Sequence, residues 1–340
     1  MIEFTGYKRG INLGGWLSQC QHSEEHYRTF ITEKDIGRIS RWGLDHVRVP
    51  IDYELVRRQD DSFIETGFRY IDLCLEWCDK YGLNMILDLH NTAGYSFDVE
   101  GGDFFGSPVL RRKFITLWEE LARRYGKYSE RLAFELLNEV VDENVAETWN
   151  AIARETIDVI RRYAPDTKLI IGGARNNSVL WVRKLDMPYD KNIVYTFHFY
   201  EPLIFTHQTA GWVDKMVPDF TTEYPNTSAA YISETAEYLP SEHSDFYKVV
   251  VTENGDRSFI RAAFSDAVNA AEERGAPLYC GEYGVIDKTS LSSALNWFSD
   301  IRSVFDEYGI SRAVWNYRGK DFGITDEHYS EITDKIVSLI

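Results

Sequence analysis

The feature that most constrains the fold is a series of short apolar runs that recurs along the whole chain. Each run is almost continuously apolar and lacks the alternation with polar residues of a half-exposed strand. Such runs are typical of strands that are buried on both faces of a parallel sheet. The chain therefore contains eight candidate strands, at positions 9–14, 46–50, 84–90, 132–139, 168–173, 193–200, 278–284 and 313–317.

Longer stretches separate these candidate strands and carry apolar residues at helical spacing. The spacing predicts helices over 67–81, 109–125, 147–163, 257–274 and 292–308. Gly82 and Gly309 follow two of them, where a glycine can end a helix in the left-handed conformation. Repeated alternation of strand and helix predicts an α/β fold, a (β/α)8 TIM barrel. A doubly wound open sheet is the alternative, but no glycine-rich phosphate-binding fingerprint follows an early strand.

The connection after the sixth predicted strand is far longer than is usual in a barrel. Its 56 residues, 201–256, contain a predicted helix over 228–239 and a strand-like segment over 247–252. We therefore expect a single barrel domain over residues 1–340, with a small insertion subdomain at 201–256 that folds over the functional end of the barrel. The alternative is an insertion that has no functional role.

Charge and hydropathy exclude several kinds of partner. The formal net charge is −17, so nucleic acid and anionic membrane surfaces would repel the chain. No run reaches the ~20 apolar residues of a membrane helix, and the first residues lack the pattern of a signal peptide. We expect a monomer without nucleic-acid or membrane partners. Its localisation stays open between cytoplasmic and secreted, with a leader that is not shown.

Polar residues stand at the carboxyl ends of the predicted strands, where a barrel of this kind carries its functional groups. Alone, each has a structural explanation, such as a salt-bridged glutamate or a hydrogen-bonded core histidine. Together, so many polar groups at one rim would be costly to desolvate without a site to serve. The candidate site residues are Arg48, His90, Asn138, Glu139, His198, Tyr200, Glu282 and Trp315.

This set resembles the active-site pattern of glycoside hydrolase family 5, whose clan places its acid/base and its nucleophile at the ends of strands four and seven. The resemblance covers nearly the whole chain, from 10–16 to 314–317. It implies a catalytic barrel that hydrolyses glycosidic bonds with retention of configuration. Glu139 would be the acid/base and Glu282 the nucleophile, with their carboxyl groups about 5–5.5 Å apart.

The remaining residues are expected to support these two glutamates. Arg48 and Tyr200 are suited to donate hydrogen bonds to the Glu282 carboxylate. Asn138 is suited to the 2-hydroxyl of the sugar. Positioning of the substrate or tuning of the acid is expected of His90 and His198, and Trp315 offers a stacking surface. Weaker candidates for neighbouring sugar sites, for which packing is at least as good an explanation, are Tyr95, Phe97, Trp212 and Tyr317.

The expected activity is endo-acting hydrolysis of β-1,4-glucosidic bonds in cellulose-like or mixed-linkage β-glucan, without a cofactor. A β-mannanase and an exo-β-1,3-glucanase on the same scaffold stay open as alternatives. An inactive carbohydrate-binding barrel is a further class, but it would be expected to have lost one glutamate, and both are present. No metal is expected, because His90, His198 and His207 lack the spacing of a metal motif.

Overall fold

The computed structural model describes residues 1–99 and 102–340. Eight parallel strands close into a barrel. Each predicted run overlaps one of these strands, which confirms the (β/α)8 barrel and excludes the open sheet. The strands are Arg9–Asn12 (β1), His46–Ile51 (β2), Asn84–Leu89 (β3), Leu132–Glu135 (β4), Leu169–Gly172 (β5), Ile193–Phe199 (β6), Leu278–Tyr283 (β9) and Ser311–Val314 (β10). Their order around the barrel is β1-β10-β9-β6-β5-β4-β3-β2.

All five predicted helices are present within a few residues, as Glu65–Tyr81 (α4), Pro108–Tyr125 (α5), Ala146–Ile160 (α6), Arg257–Arg274 (α11) and Leu291–Tyr308 (α12). Gly82 and Gly309 end α4 and α12 with φ of 71° and 70°, as predicted. The sequence did not predict the helix Glu33–Arg41 (α2), because its nine residues carry few apolar positions. No helix in the described part of the chain is both long and apolar enough to cross a membrane. The helices are Glu24–Thr29 (α1), Glu33–Arg41 (α2), Tyr53–Val56 (α3), Glu65–Tyr81 (α4), Pro108–Tyr125 (α5), Ala146–Ile160 (α6), the single turn Ala174–Asn177 (α7), Leu203–Thr206 (α8), Ser228–Tyr238 (α9), Ser244–Val249 (α10), Arg257–Arg274 (α11), Leu291–Tyr308 (α12) and Thr333–Leu339 (α13).

The barrel interior is filled in layers, apolar below and charged above. Its floor is a cluster in which Phe4 and Tyr7, from the segment before β1, pack against inward-facing strand residues. Above this floor, Arg48, Asp88 and Glu135 are fully buried. Because strand side chains alternate, two positions along a strand carry an inward residue from the floor toward the mouth. The apolar floor therefore supports a buried charged layer directly beneath the functional end.

The long connection after β6 folds into α8, α9, α10 and a two-stranded antiparallel ribbon, β7 (Asn226–Thr227) and β8 (Asn254–Gly255). The predicted helix over 228–239 is confirmed as α9. The strand-like interpretation of 247–252 is wrong, because α10 extends to Val249. Phe246, Tyr247 and Val250 are buried while the residues between them are exposed, which is helical spacing. A run of valines suggested a strand, but packing of Phe246 and Tyr247 on Phe259 of α11 decides the conformation.

Candidate active site

A bulge in β9 aims one carboxylate into the mouth of the barrel. β6 and β9 pair in register until His198, which pairs with Glu282 rather than with Gly281. The extra residue reverses the alternation of side chains, so Glu282 lies on the inner face beside His198. A Cβ atom at position 281 would lie 3.0 Å from Thr196 Oγ1 and 3.1 Å from His198 Nε2. Glycine at this position therefore leaves Thr196 and His198 undisturbed beside the bulge.

Arg48 on β2 is the centre of the buried charges. Its Nη1 donates to Glu282 Oε1 at 2.6 Å, while Nε and Nη2 donate to Glu135 at 2.7 and 2.9 Å. Nη2 also lies 3.1 Å from Asp88 Oδ2. Burial acts to lower the pKa of Arg48, but the three carboxylates hold that pKa well above its usual value. The guanidinium therefore stays charged and fixes one oxygen of Glu282.

Tyr200 and Asn138 complete the surroundings of Glu282. The Tyr200 hydroxyl donates to Glu282 Oε2 at 3.0 Å, so each carboxylate oxygen has its own donor. Asn138 Oδ1 accepts from Arg48 Nη2 at 2.8 Å. Since Arg48 occupies that oxygen, the amide nitrogen is the group that Asn138 can offer to a substrate hydroxyl.

Glu139 lies just beyond the end of β4. The strand ends at Glu135, four residues before Glu139, and not at Glu139 as the apolar run suggested. The chain nevertheless continues to bond both neighbouring strands. Leu136 N donates to a β5 carbonyl at 3.1 Å, and Asn138 N donates to a β3 carbonyl at 3.0 Å. This pairing carries Asn138 and Glu139 out to the mouth.

The Glu139 carboxyl group is buried among neutral partners. His198 Nδ1 lies 2.7 Å from Oε1, and Asn176 Nδ2 donates to Oε2 at 2.9 Å. Burial raises the pKa of Glu139 to about 7, against the opposing effects of Asn176, His90 and Arg48. Burial also lowers the pKa of His198 to about 4, so this ring is neutral near pH 7. Glu139 can therefore hold a proton near neutral pH.

His90 and Trp315 form one wall of the mouth. His90 Nδ1 lies 2.6 Å from Asp88 Oδ2, and its ring is parallel to the Trp315 indole, with ring centroids 5.8 Å apart. Burial lowers the pKa of His90 and raises that of Asp88 to about 7. The indole covers Gly14, where a Cβ atom would lie 2.4 Å from the ring. The structure thus brings all eight predicted residues to one end of the barrel.

The four weaker candidates for neighbouring sugar sites have different surroundings in the structure. Tyr95 does not present its hydroxyl to a sugar, because that hydroxyl donates to the Glu139 carbonyl at 2.7 Å and accepts from Val141 N at 2.9 Å. Tyr317 is fully buried and donates to Asp35 at 2.8 Å, which excludes a sugar contact. Phe97 packs edge-on against His90 at 5.1 Å. Trp212 remains 57% exposed.

Sequence reasoning missed three functional neighbours, namely Asp88, Glu135 and Asn176. Asp88 and Glu135 are charged residues inside apolar runs, a signal that a buried partner must exist. Asn176 carried no comparable signal, since asparagine is common in exposed turns. All three contact predicted site residues.

Glu139, His198 and Glu282 each offer a donor atom, and these atoms lie within 4.8 Å of one another. Such a set could hold a metal ion. However, Arg48 Nη1 donates to Glu282 from 2.6 Å, so a divalent cation would stand next to a fixed positive charge. The donor set therefore suits proton transfer better than metal binding.

A closed barrel with two carboxylates this close at its carboxyl end is the arrangement of a glycoside hydrolase. Residues 8–321 match the family model for cellulase, glycosyl hydrolase family 5, and the chain belongs to this family. The interpretation of the chain as a glycoside hydrolase of the cellulase type, acting on a polysaccharide, is thereby confirmed.

Named relatives cover almost the whole chain. It is 44% identical to cellodextrinase A of Ruminococcus flavefaciens over 315 residues, which are 92% of this chain and 86% of that protein. It is 40% identical to endoglucanase C of Acetivibrio thermocellus over 344 residues, 99% of this chain and 98% of that protein. A solved endoglucanase of Thermotoga maritima has a TM-score of 0.76 at 24% identity, covering 98% of this chain and 97% of that one. This last likeness concerns the fold.

Proposed function

We propose that the chain is an endo-acting β-glucanase that hydrolyses β-1,4-glucosidic bonds in cellulose-like or mixed-linkage β-glucan with retention of configuration. The observation that carries this proposal is the short distance between Glu139 and Glu282. One carboxyl oxygen of each lies within 4.8 Å of the other. Carboxyl groups about 5–5.5 Å apart suit retention, whereas inversion needs about 6.5–9.5 Å to admit a water molecule. The names of the endoglucanase and cellodextrinase relatives favour glucan over mannan.

In the first step, Glu139 gives its proton to the glycosidic oxygen while the bond from that oxygen to the anomeric carbon breaks. The Glu282 carboxylate bonds to the anomeric carbon and forms a glycosyl ester. In the second step, water attacks the same carbon, gives a proton to Glu139 and releases Glu282. Glu139 must therefore be neutral first and charged later, which suits a pKa raised by burial to about 7.

The supporting residues act around this pair. Arg48 and Tyr200 hold the Glu282 carboxylate by donating to its two oxygens. Asn138 offers its amide nitrogen to the 2-hydroxyl of the sugar. His90 and Trp315 provide a wall for the sugar ring whose glycosidic bond is cleaved.

We further propose one catalytic domain over residues 1–340, with 201–256 as a subdomain at its functional end. Trp315 supports this arrangement, because it shares an apolar cluster with Ala210 and Val213 of the long connection. We propose that the chain acts as a monomer without nucleic-acid or membrane partners. Its net charge of −17 supports the absence of anionic partners.

Azide rescue tests the two assignments. Glu282→Gly and Glu139→Ala should each lower kcat on barley β-glucan by about four orders of magnitude or more. With 2,4-dinitrophenyl β-cellobioside and azide, Glu282→Gly should yield the α-glycosyl azide, because azide attacks from the face that Glu282 leaves open. Glu139→Ala should yield the β-glycosyl azide through the intact intermediate. NMR of the products distinguishes the two anomers.

Glu201→Gln provides the matched control. Burial raises the pKa of Glu201 to about 7, as it does for Glu139, but Glu201 accepts from Leu203 N and not from a site residue. This variant should keep kcat within about threefold of the parent. Near-normal activity of Glu282→Gly on β-glucan would contradict the mechanism. A preference for mannan or β-1,3-glucan over barley β-glucan in a substrate panel would contradict the proposed specificity.

A further inference from the structure

The turn after β5 contains three successive non-glycine residues with a left-handed backbone. Arg175, Asn176 and Asn177 have φ of 54°, 56° and 53°. L-residues adopt this conformation singly as a rule, and asparagine tolerates it better than most. A run of three is a strained segment of the kind that persists where the surrounding structure holds it. Here Asn176 N donates to the carbonyl of Val140, the residue after Glu139, at 3.0 Å.

Asn176 reaches one oxygen of the Glu139 carboxyl group directly. Its Nδ2 donates to Oε2 at 2.9 Å. A hydrogen-bond donor favours the charged form of a carboxyl group, so this bond opposes the effect of burial on the pKa of Glu139. Arg175, the charged residue of the run, turns away and pairs with Glu143 at 3.0 Å. The run therefore presents a neutral donor to Glu139.

Asn177 acts on the other oxygen of Glu139 through His198. Its Nδ2 donates to the carbonyl of Asn138 and lies 3.5 Å from His198 Nε2. Rotating the amide by half a turn would set Oδ1 against the Asn138 carbonyl oxygen, so the nitrogen stays on this side. His198 Nε2 then accepts, the ring proton lies on Nδ1, and Nδ1 donates to Glu139 Oε1 at 2.7 Å.

We propose that residues 175–177 position the acid/base residue, with Asn176 acting by a direct hydrogen bond and Asn177 by fixing the tautomer of His198. The inference rests on the proposed role of Glu139. That residue must be neutral in one step and charged in the next, so both states must be accessible. Neutral donors on both carboxyl oxygens stabilise the charged state of Glu139 and still allow its neutral state. A permanent cation at the same place would exclude the neutral state.

Other charged and titratable groups also face Glu139, and the substitutions below leave them unchanged. They are Arg48 on β2, Asp88 on β3, His90, Tyr95 and Asp98 beyond β3, His198 and Tyr200 at the end of β6, and Glu282 on β9.

Asn176→Gly removes the donor but keeps a residue that accepts the left-handed backbone. The pH profile of kcat/KM for p-nitrophenyl β-cellobioside falls at high pH, and this basic limb reports the protonation of the acid in the free enzyme. We expect that limb to move to higher pH by about half to one unit, because loss of the donor raises the pKa of Glu139. With 2,4-dinitrophenyl β-cellobioside at pH 6, breakdown of the intermediate needs charged Glu139. There kcat should fall about three- to tenfold.

Asn176→Asp keeps the size of the side chain and tolerates the same backbone, but it replaces the donor with a like charge. Its basic limb should lie higher than that of Asn176→Gly, and this variant carries the test if the glycine variant does not fold. Asp61→Gly is the control, since Asp61 is left-handed at φ 68° and pairs with Lys113 at 2.9 Å, away from Glu139. Its limb should match that of the parent.

The outcomes separate this inference from the proposed function. Activity of Glu139→Ala on barley β-glucan would overturn the role of Glu139 itself. If Glu139→Ala is inactive but the basic limbs of Asn176→Gly and Asn176→Asp coincide with the parent's, residues 175–177 have no positioning role. An equal fall of kcat at every pH, with an unmoved limb, would indicate a structural effect alone and would also overturn the inference.

Discussion

The surroundings of Glu282 and Glu139 differ, although both are glutamates at the same rim. Glu282 receives a guanidinium N–H from Arg48 at 2.6 Å and the Tyr200 hydroxyl at 3.0 Å. Glu139 receives neutral donors, from Asn176 at 2.9 Å and from His198 at 2.7 Å. Hydrogen bonds from a guanidinium fix a carboxylate in place, whereas neutral donors in a buried setting let a carboxyl group take up a proton near pH 7. Neighbours rather than residue type thus divide the two roles.

The Glu282 side is also the more connected of the two. Arg48 serves Asp88, Glu135 and Glu282 at once, and one guanidinium does not neutralise three buried carboxylates. Burial raises the pKa of Asp88 to about 7 and raises that of Glu135 as well, while the Arg48 charge opposes both shifts, so the protonation of these two carboxyl groups depends on Arg48. A change at Arg48 therefore disturbs several groups, while a change beside Glu139 disturbs mainly one.

Arg48→Lys should break the Glu282 side with the largest effect. An ammonium group keeps the charge but lacks the planar fork that serves Glu135 and Glu282 together. We expect kcat/KM on barley β-glucan to fall by about a thousandfold. The free energy of unfolding, measured by urea denaturation, should fall by about 1–3 kcal/mol.

Arg312→Lys is the matched control for this change. Arg312 is also a buried strand arginine, at 1% exposure, but it bonds the Ile340 carbonyl at 2.9 Å and Asp306 at 3.0 Å, away from the site. This control should lose stability while kcat/KM stays within about twofold of the parent. If Arg48→Lys retained activity within about tenfold, the guanidinium geometry would not matter to Glu282.

Tyr200→Phe should weaken the same side by less. It removes one of the two donors to Glu282 and leaves the Arg48 contact intact, so kcat should fall about 10- to 100-fold. The phenyl ring keeps its packing on His207 and Phe322, so the free energy of unfolding should change little.

Tyr7→Phe is the control. It removes a buried hydroxyl that has no hydrogen-bond partner among residues 1–99 and 102–340, and it should keep full activity. Equal rates for the two variants would remove Tyr200 from the site.

The same comparison separates what could be predicted from what could not. The residues on barrel strands or at their ends, such as Arg48, His90 and His198, follow from strand order and the alternation of side chains. Glu282 is harder, because only the bulge at Gly281 turns it inward. An isolated glycine inside a strand pattern is the available signal for such a bulge. The acidic partners Asp88 and Glu135 were signalled by their charge within apolar runs.

Asn176 lies beyond such reasoning, because its role depends on a backbone conformation that neighbours impose. No periodicity predicts three left-handed residues in succession, and asparagine only permits them. The long connection shows the same limit. Local sequence placed α9 correctly, but tertiary packing on α11 turned the valine-rich segment into the end of α10. Prediction succeeded where a repeating pattern governs, and failed where single contacts do.

Tyr95→Phe should have the smallest effect and sharpens the comparison on the Glu139 side. The lost hydroxyl bridges the Glu139 carbonyl and Val141 N, so it holds the backbone and not the carboxyl group. Val141 is 41% exposed, and water can replace the missing partner there. We expect kcat on barley β-glucan to fall about two- to fivefold. The basic limb of kcat/KM should not move, because no donor to the carboxylate has changed.

A shifted limb would mean that the Tyr95 contacts with the backbone also govern protonation of Glu139. A loss as large as that of Tyr200→Phe would mean that Glu139 depends on its fixed position as much as Glu282 depends on its donors.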